Sequence, residues 1–402
     1  MRRPRLLAVV ALLGATLTLL ASQGTLRAQE GAPLSVTSPL PSWRAPGGRL
    51  TVAGTAGPNE VVSLFVGTVK RAETTASADG RFRLRTRMPH GEGRYTIAVE
   101  VTRELVVRAE VGTVRVRPLR LAAVGDVNLG DRVALAMAAY GVRYPWLDVA
   151  PVLTRADMAI ANLECAVSTR GSPWPGKQYT FRGSPRALRA MARFAGIDAI
   201  SLANNHSLDY GRLAFADTLR YAREYGLAAF GGGKDLAAAR RPRILGAGGL
   251  RVAFLGYSDV RPLGFDAGPT TSGTAPAFPS YIRTDVRRAR ERADVVVVYF
   301  HWGIERTFTP TARQRSLAAV SFDAGAHVVL GAHPHVLQPI ERPRRRKLVA
   351  WSLGNFVFGA TTTGTDRTGI LRVKLGSRGV RDYGFRRARI GGPYLVQPQL
   401  LR

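Results

Sequence analysis

Leu119-Arg120-Leu121-Ala122-Ala123-Val124-Gly125-Asp126-Val127-Asn128-Leu129-Gly130 is an apolar run that breaks into a polar turn. Leu119–Gly125 reads as a buried strand, and Asp126 and Asn128 beyond it project to one side because strand side chains repeat every two residues. The pattern recurs downstream. Met158–Asn162, Ile197–Ala203, Val252–Gly256, Val295–Phe300 and Val328–Gly331 read as further buried strands. Helical periods lie between them at Arg186–Phe194, Leu213–Tyr225, Thr284–Ala293 and Thr311–Ala324. After Lys347 the text returns to β character through Leu348–Trp351, Phe356–Phe358, Ile370–Leu375 and Tyr383–Arg389. Alternating strands and helices predict an α/β body with a largely β C-terminal portion. The Gly-, Pro- and Thr-rich stretch from Gly264 to Pro279 predicts a long loop, either a lid or a mobile segment.

The strand exits carry the chemistry. The second gives Asn162-Leu163-Glu164, the third Asn204-Asn205-His206-Ser207-Leu208-Asp209, the fifth His301-Trp302-Gly303-Ile304-Glu305 and the sixth Gly331-Ala332-His333-Pro334-His335. An open α/β sheet binds ligands in the crevice outside the carboxyl ends of its strands. A lone His at a strand end is usually a hydrogen-bonded surface residue, and a lone Asp or Asn there a turn former or cap. Five such exits together are better explained by one site. Carboxylate, amide oxygen and imidazole suit a divalent metal of borderline hardness, manganese, iron or zinc, one or two per chain, rather than magnesium or calcium. Such a metal acidifies water and polarises a substrate oxygen.

Upstream, residues 35–117 alternate short β-prone runs with turn signals: Arg49–Gly54, Val61–Val69, Asp79-Gly80 before Arg81–Thr86, Tyr95–Thr102 and Val106–Val116. They predict a small antiparallel sandwich similar to the immunoglobulin-like modules of exported bacterial proteins, a spacer or docking arm without visible chemistry. Residues 1–28 combine Arg2, Arg3 and Arg5, the apolar stretch Leu6 to Ala21, and Leu26-Arg27-Ala28. That is a secretory signal, cleaved or retained as an N-terminal membrane anchor, and the expected location is periplasmic or otherwise extracytoplasmic. No cysteine follows the run, which excludes lipoprotein anchoring.

The 402 residues include 58 Lys plus Arg against 28 Asp plus Glu, for a formal charge of +30, with 46% apolar residues. Length and apolar content exclude disorder and predict two or three domains. Cys165 is the only cysteine, which excludes an internal disulfide framework and a multi-thiolate zinc site. The charge attracts polyanions without choosing among them. Export removes nucleic acid as the usual target, and no recognition motif for it accompanies the charge.

At these residues the chain resembles the CapA family of poly-γ-glutamate capsule synthesis proteins, itself related to the calcineurin-like metallophosphoesterases. Gly125-Asp126-Val127-Asn128-Leu129-Gly130, Ala161-Asn162-Leu163-Glu164, Lys177-Gln178-Tyr179-Thr180-Phe181-Arg182, Leu202-Ala203-Asn204-Asn205-His206 with Asp209-Tyr210-Gly211, His301-Trp302-Gly303-Ile304-Glu305, His333-Pro334-His335-Val336 and Ser352-Leu353-Gly354-Asn355-Phe356 stand in the family's order. The resemblance implies a metallophosphoesterase-like four-layer sandwich over 119–402. It implies that Asp126 and His335, with Asn128, hold one metal, that Asn205, His301 and His333 hold a second, and that Glu164 bridges them. His206 is the implied general acid, with Asp209 as its catalytic companion. Asn128 and Glu164 depart from the wider pattern, which has His and Asp there, and occupancy of the first metal position turns on that difference. His327 is taken as structural.

Lys177 and Arg182 flank an aromatic stretch and are candidates to clamp an anionic substrate. Trp302, Glu305 and Asn355 are further candidates for substrate contact. Cys165 reads as a small buried hydrophobe, and Arg342-Pro343-Arg344-Arg345-Arg346-Lys347 as a solvated basic turn or a contact for polymer or lipid headgroups. The resemblance implies an anionic polymer such as poly-γ-glutamate as substrate and membrane-bound capsule synthesis subunits as partners. Metal-dependent hydrolysis, of amide or phosphoester, and non-catalytic polymer binding are the competing activities.

Overall fold

A computed structural model of the protein describes residues 32–360 and 362–401. The segment read as an export signal lies outside them. Among the described residues no helix is long and apolar enough to cross a membrane.

The first domain is a two-sheet β-sandwich. Ser35–Val36, Arg49–Thr55 and Arg81–Arg87 form one sheet, and Trp43–Arg44, Val106–Val116, Gly93–Thr102, Val61–Val66 and Val69–Thr75 form the other. Arg81–Arg87 shows why: its arginines alternate with Phe82 and Leu84, which enter the core beside Leu50, Val62, Ile97 and Val114. The expected single strand Val61–Val69 is a hairpin instead. Gly67, at φ 64°, turns the chain where a side chain would be strained.

The second domain contains β1 (Leu119–Val127), α1 (Asp131–Tyr140), β2 (Met158–Leu163), α2 (Pro185–Arg193), β3 (Ala199–Ser201), α3 (Gly211–Tyr225) and β4 (Ala228–Phe230). There follow β5 (Arg243–Ala247), β6 (Leu250–Ser258), α4 (Pro279–Arg292), β7 (Val295–His301), α5 (Ala312–Ala324) and β8 (Val328–Ala332). The C-terminal part is β9 (Ile340–Glu341), β10 (Leu348–Ala350), β11 (Asn355–Val357), β12 (Arg367–Gly376), β13 (Gly379–Gly391) and β14 (Gln397–Leu400). One sheet runs β4-β3-β2-β1-β12-β13-β14, with β11 beside the end of β1; the other runs β5-β6-β7-β8-β10-β9. β1 to β4 are mutually parallel, as are β6, β7, β8 and β10.

The parallel strands of both sheets bury both faces. Leu121, Ile160, Phe254, Val297, Leu330 and Val373 pack between them, α1, α2 and α3 cover the first sheet outside, and α4 and α5 cover the second. The result is a four-layer α/β/β/α sandwich in which near-continuous apolar strands are sealed on both sides. The parallel strands of the two sheets end at one common edge, and the polar residues follow there.

The Gly264–Pro279 segment is neither lid nor mobile loop. Phe265 is fully buried, Gly273–Thr274 pairs with Gly232–Gly233, and the Arg212 guanidinium donates to the carbonyls of Ser272 and Gly264. Its apolar residues, hidden in a Gly- and Pro-rich text, find a core to enter.

The two domains meet through backbone bonds from Ala45 to the Gly248 carbonyl (2.7 Å) and Arg49 to the Gly249 carbonyl (2.9 Å). Asp294 anchors the contact, accepting from Arg49 at 2.7 Å, Arg87 at 2.9 Å and its own domain's Arg251 amide at 2.8 Å.

Candidate metal centre at the strand ends

Strand register brings the polar exits together. Asn162 of β2 and Asn355 of β11 each stand opposite Asp126 at the end of β1. In the other sheet, His301 ends β7 opposite Ala332 of β8, and His333 follows. Asp126 is fully buried; one oxygen accepts the Asn162 amide at 2.9 Å and the other the His333 backbone amide at 3.1 Å. That second bond ties the two sheets at the site.

Glu164 lies at the centre, fully buried. His301 Nε2 is 3.4 Å from its Oε1, and the Nε2 atoms of His206 and His335 are each 4.0 Å away. Among the described residues neither Glu164 oxygen has a hydrogen-bond partner, and His333 Nδ1 is likewise buried and unpartnered. Ligand atoms of Glu164, His301 and His333 lie within 4.8 Å of one another, as do those of Asp126, Glu164 and His335, and of Glu305, His333 and His335. A buried carboxylate without a donor is expensive, and a cation is the partner that this donor set lacks. The residues therefore fit one or two divalent ions.

The backbone is held in unusual conformations there. His333 (φ 93°) and His335 (φ 59°) both lie in the left-handed region, which non-glycine residues seldom occupy. Such strain persists where the surroundings over-determine it, here through the Asp126 bond to the His333 amide.

Electrostatics follow burial. Burial and then the neighbouring Asp126 charge push the Glu164 carboxyl well above its ordinary range. Burial would also raise Asp126, but hydrogen bonding and charge from His335, with the Asn162 and His333 amides, outweigh it and hold Asp126 low. Burial, reinforced by neighbouring imidazoles, keeps His301 neutral and lowers His333 to about 3. His335 is the exception: burial lowers it, but Asp126 and Asn355 more than compensate. Neutral imidazoles are the form that ligates a metal.

His206 is oriented from behind. Its Nδ1 is 2.6 Å from an Asp209 oxygen, so Nδ1 carries the proton and Nε2 faces Glu164. Asp209, fully buried, also accepts the Phe181 amide at 2.6 Å and the Lys177 ammonium. Phe181 stacks on the His206 ring with centroids 4.3 Å apart. Burial lowers the His206 pKa, with Asp209 opposing.

The other anticipated residues divide between the cluster and its surroundings. Asn205 Oδ1 lies 2.7 Å from His301 Nε2, within the cluster. Asn128, buried, turns its Oδ1 to the Gly130 amide at 2.8 Å, so that oxygen shapes the turn into α1. Lys177 is not a solvated clamp: it points inward to Asp209 and the Asn205 carbonyl, and burial depresses its pKa. Trp302 is no substrate wall. It is fully buried, stacked on Phe300 at 4.3 Å, with Nε1 donating to the Trp351 carbonyl, because alternation sends it away from His301 into the helical layer. Asn355, also buried, has its Oδ1 2.9 Å from His335 Nδ1; it positions that ring rather than facing solvent. Glu305 and Arg182 are exposed, Glu305 at the outer side of the cluster and Arg182 over the Tyr210 ring. Cys165 is buried, its thiol pushed up to about 12 by burial, and His327, buried and lowered to about 3, accepts the Val296 amide.

Two strand-exit residues given no role from sequence complete the site. Asn162 donates to Asp126 and lies 3.2 Å from His301 Nδ1; Asn204 donates to Asn162 Oδ1 at 3.1 Å. Their signal was adjacency to Glu164 and Asn205 at the same strand exits.

A family model described as bacterial capsule synthesis protein PGA_cap matches residues 120–360. The PGA biosynthesis protein CapA of Bacillus subtilis is 32% identical over 258 residues, covering 64% of this chain and 67% of that protein. The capsule biosynthesis protein CapA of Bacillus anthracis is 31% identical over 268 residues, covering 65% of each. The chain thus spans about two thirds of these relatives. Among solved structures, the 5'-nucleotidase precursor of Thermus thermophilus aligns with a TM-score of 0.42 at 16% identity, covering 70% of this chain and 56% of that one.

Proposed function

Because the chain belongs to the bacterial capsule synthesis protein PGA_cap family, we propose that it acts outside the cytoplasm as a metal-dependent hydrolase on an anionic surface polymer of the poly-γ-glutamate kind. The observation that carries this reading is the buried Glu164 carboxylate, without a donor on either oxygen, ringed by His206, His301 and His335. The names of the two Bacillus relatives support the capsule setting, and membrane-bound subunits of such a machinery are the proposed partners.

Asp126, Glu164 and His335 would hold one cation, and Glu164, His301 and His333, with Asn205, a second. A divalent cation supplies Lewis acidity and a nucleophile at neutral pH. The protein's own part is orientation and proton transfer. Asp209 holds the Nδ1 proton of His206 and leaves Nε2 as an acceptor on the side of the cluster, where it would take a proton from the attacking water and pass it to the leaving group. Phe181 covers one face of that ring.

The test is metal analysis of the purified protein followed by turnover of poly-γ-glutamate and of bis(p-nitrophenyl) phosphate. Turnover of the polymer, reduced on the order of 100- to 10,000-fold in His206→Ala with metal retained, is expected. His333→Ala should lose metal as well. Turnover of the phosphodiester alone would make the chain a phosphoesterase, and polymer binding without metal or turnover would make it an assembly subunit.

A further inference from the structure

A trough runs along the outer helices α1 and α2. One groove, of about 750 Å³, is lined by Leu129, α1, Arg143, Arg182 and Arg186; a second, of about 880 Å³, shares Arg143 and Arg186 and continues past Arg189 and Arg193 to Phe194 and Tyr225. The near end lies close in sequence to the site. Leu129 follows Asn128, and Arg182 follows Phe181, which stacks on His206.

The arginines are arranged, not scattered. α2 buries Ala187, Leu188, Ala190 and Met191 and turns Arg186, Arg189 and Arg193 outward. Spacings of three and four residues set side chains in one row, about 5–6 Å from one to the next. Among the described residues no carboxylate lies within 4.0 Å of Arg143, Arg182, Arg186, Arg189 or Arg193. Other arginines are paired, as in Arg117 with Asp157, Arg170 with Asp217 and Arg240 with Asp285, but many of this basic chain are not, so it is alignment along one groove that marks these five. The one acid lining the trough, Glu224, lies 3.7 Å from Arg220 and so is itself offset. Arg143 also covers the Phe194 ring, which fixes its guanidinium at the trough wall.

We propose that this trough is the track along which an acidic polymer chain lies, its successive carboxylates on Arg143, Arg186, Arg189 and Arg193, with Arg182 passing the chain to the metal edge. The proposal deepens the polymer-hydrolase reading and rests on it. A row of exposed guanidinium groups binds a repeating anion additively and weakly per contact, so it selects long chains over short ones.

The experiment compares wild type with Arg186→Gln/Arg189→Gln/Arg193→Gln, which removes charge while keeping good helix formers. The readouts are the Kd for fluorescein-labelled poly-γ-glutamate and for a γ-linked glutamate trimer, over a salt series. Long-chain affinity should fall on the order of tenfold, about 1.4 kcal/mol, with a shallower salt dependence, while trimer affinity is unchanged. A charge-matched control, Arg71→Gln/Arg83→Gln/Arg85→Gln, on exposed positions of the first domain, should leave both constants unchanged. Equal loss in the control would overturn the trough in favour of undirected attraction to a basic protein, and so would an unchanged Kd in the α2 variant. Wild type binding neither polymer nor trimer would instead sink the polymer reading itself. Wild-type affinity for a single-stranded oligonucleotide equal to that for the polymer would overturn the carboxylate-chain assignment.

Discussion

Burial strips the Glu164 carboxylate of water without giving either oxygen a donor, and that sets its behaviour with pH. Its raised pKa in the folded, metal-free protein means that its contribution to stability is fully present below the ordinary carboxylate range and is lost as pH rises through the folded value. Glu164→Gln should therefore stabilise the metal-free protein by about 1–3 kcal/mol at pH 8 and change it little at pH 4. It should also abolish the stabilisation that manganese gives wild type, since the metal needs the ionised carboxylate. Urea unfolding at both pH values, with EDTA or with manganese, measures this; a variant less stable than wild type at pH 8 in EDTA would show that Glu164 is already paired. At this scale the histidines were legible because imidazoles at the ends of apolar strands are out of place unless they converge. Trp302 and Asn355 were misjudged because sequence adjacency to the cluster does not say which way a side chain turns.

β1 and its surroundings show how an element delivers a residue. Gly125 lies so close to the segment after β10 that a Cβ there would sit 1.8 Å from the Gly354 carbonyl oxygen. The Asp126 amide donates to that same oxygen at 2.9 Å. Gly125→Ala should force the segments apart, destabilise the protein by roughly 1–3 kcal/mol or more and lower metal affinity with it. Urea midpoints and metal content of the purified variant check both effects; a wild-type midpoint would mean that the close approach relaxes without strain. The long buried strands and amphipathic helices were readable from hydrophobic period. β4, three residues long, was too short for one, and the Ala-rich face of α1 gives little contrast.

Across the whole molecule, docking of the β-sandwich depends on Asp294. Burial would raise its carboxyl, but the Arg251 amide, Arg49 and Arg87 outweigh it and hold it low. Its contribution is therefore present above the unfolded carboxylate pKa and lost as pH falls through the depressed folded value. Asp294→Ala should cost about 1–3 kcal/mol, a modest figure because Arg49 and Arg87 are 39% and 48% exposed. It should also split thermal unfolding into two transitions; calorimetry showing one transition at the wild-type temperature would mean that the backbone contacts suffice. The α/β class, the β-rich N-terminal module and the chemical types at the strand exits were determined by the sequence itself, because period-two and helical patterning are local and apolar runs must be buried. Only the tertiary structure decided that Glu164 lacks a donor among the described residues, that Lys177 turns inward to Asp209, that Trp302 faces the helices and that the arginines of α2 line a groove with Arg143. Those outcomes depend on which strands become neighbours and in what register, and that is settled by packing between residues far apart in the chain.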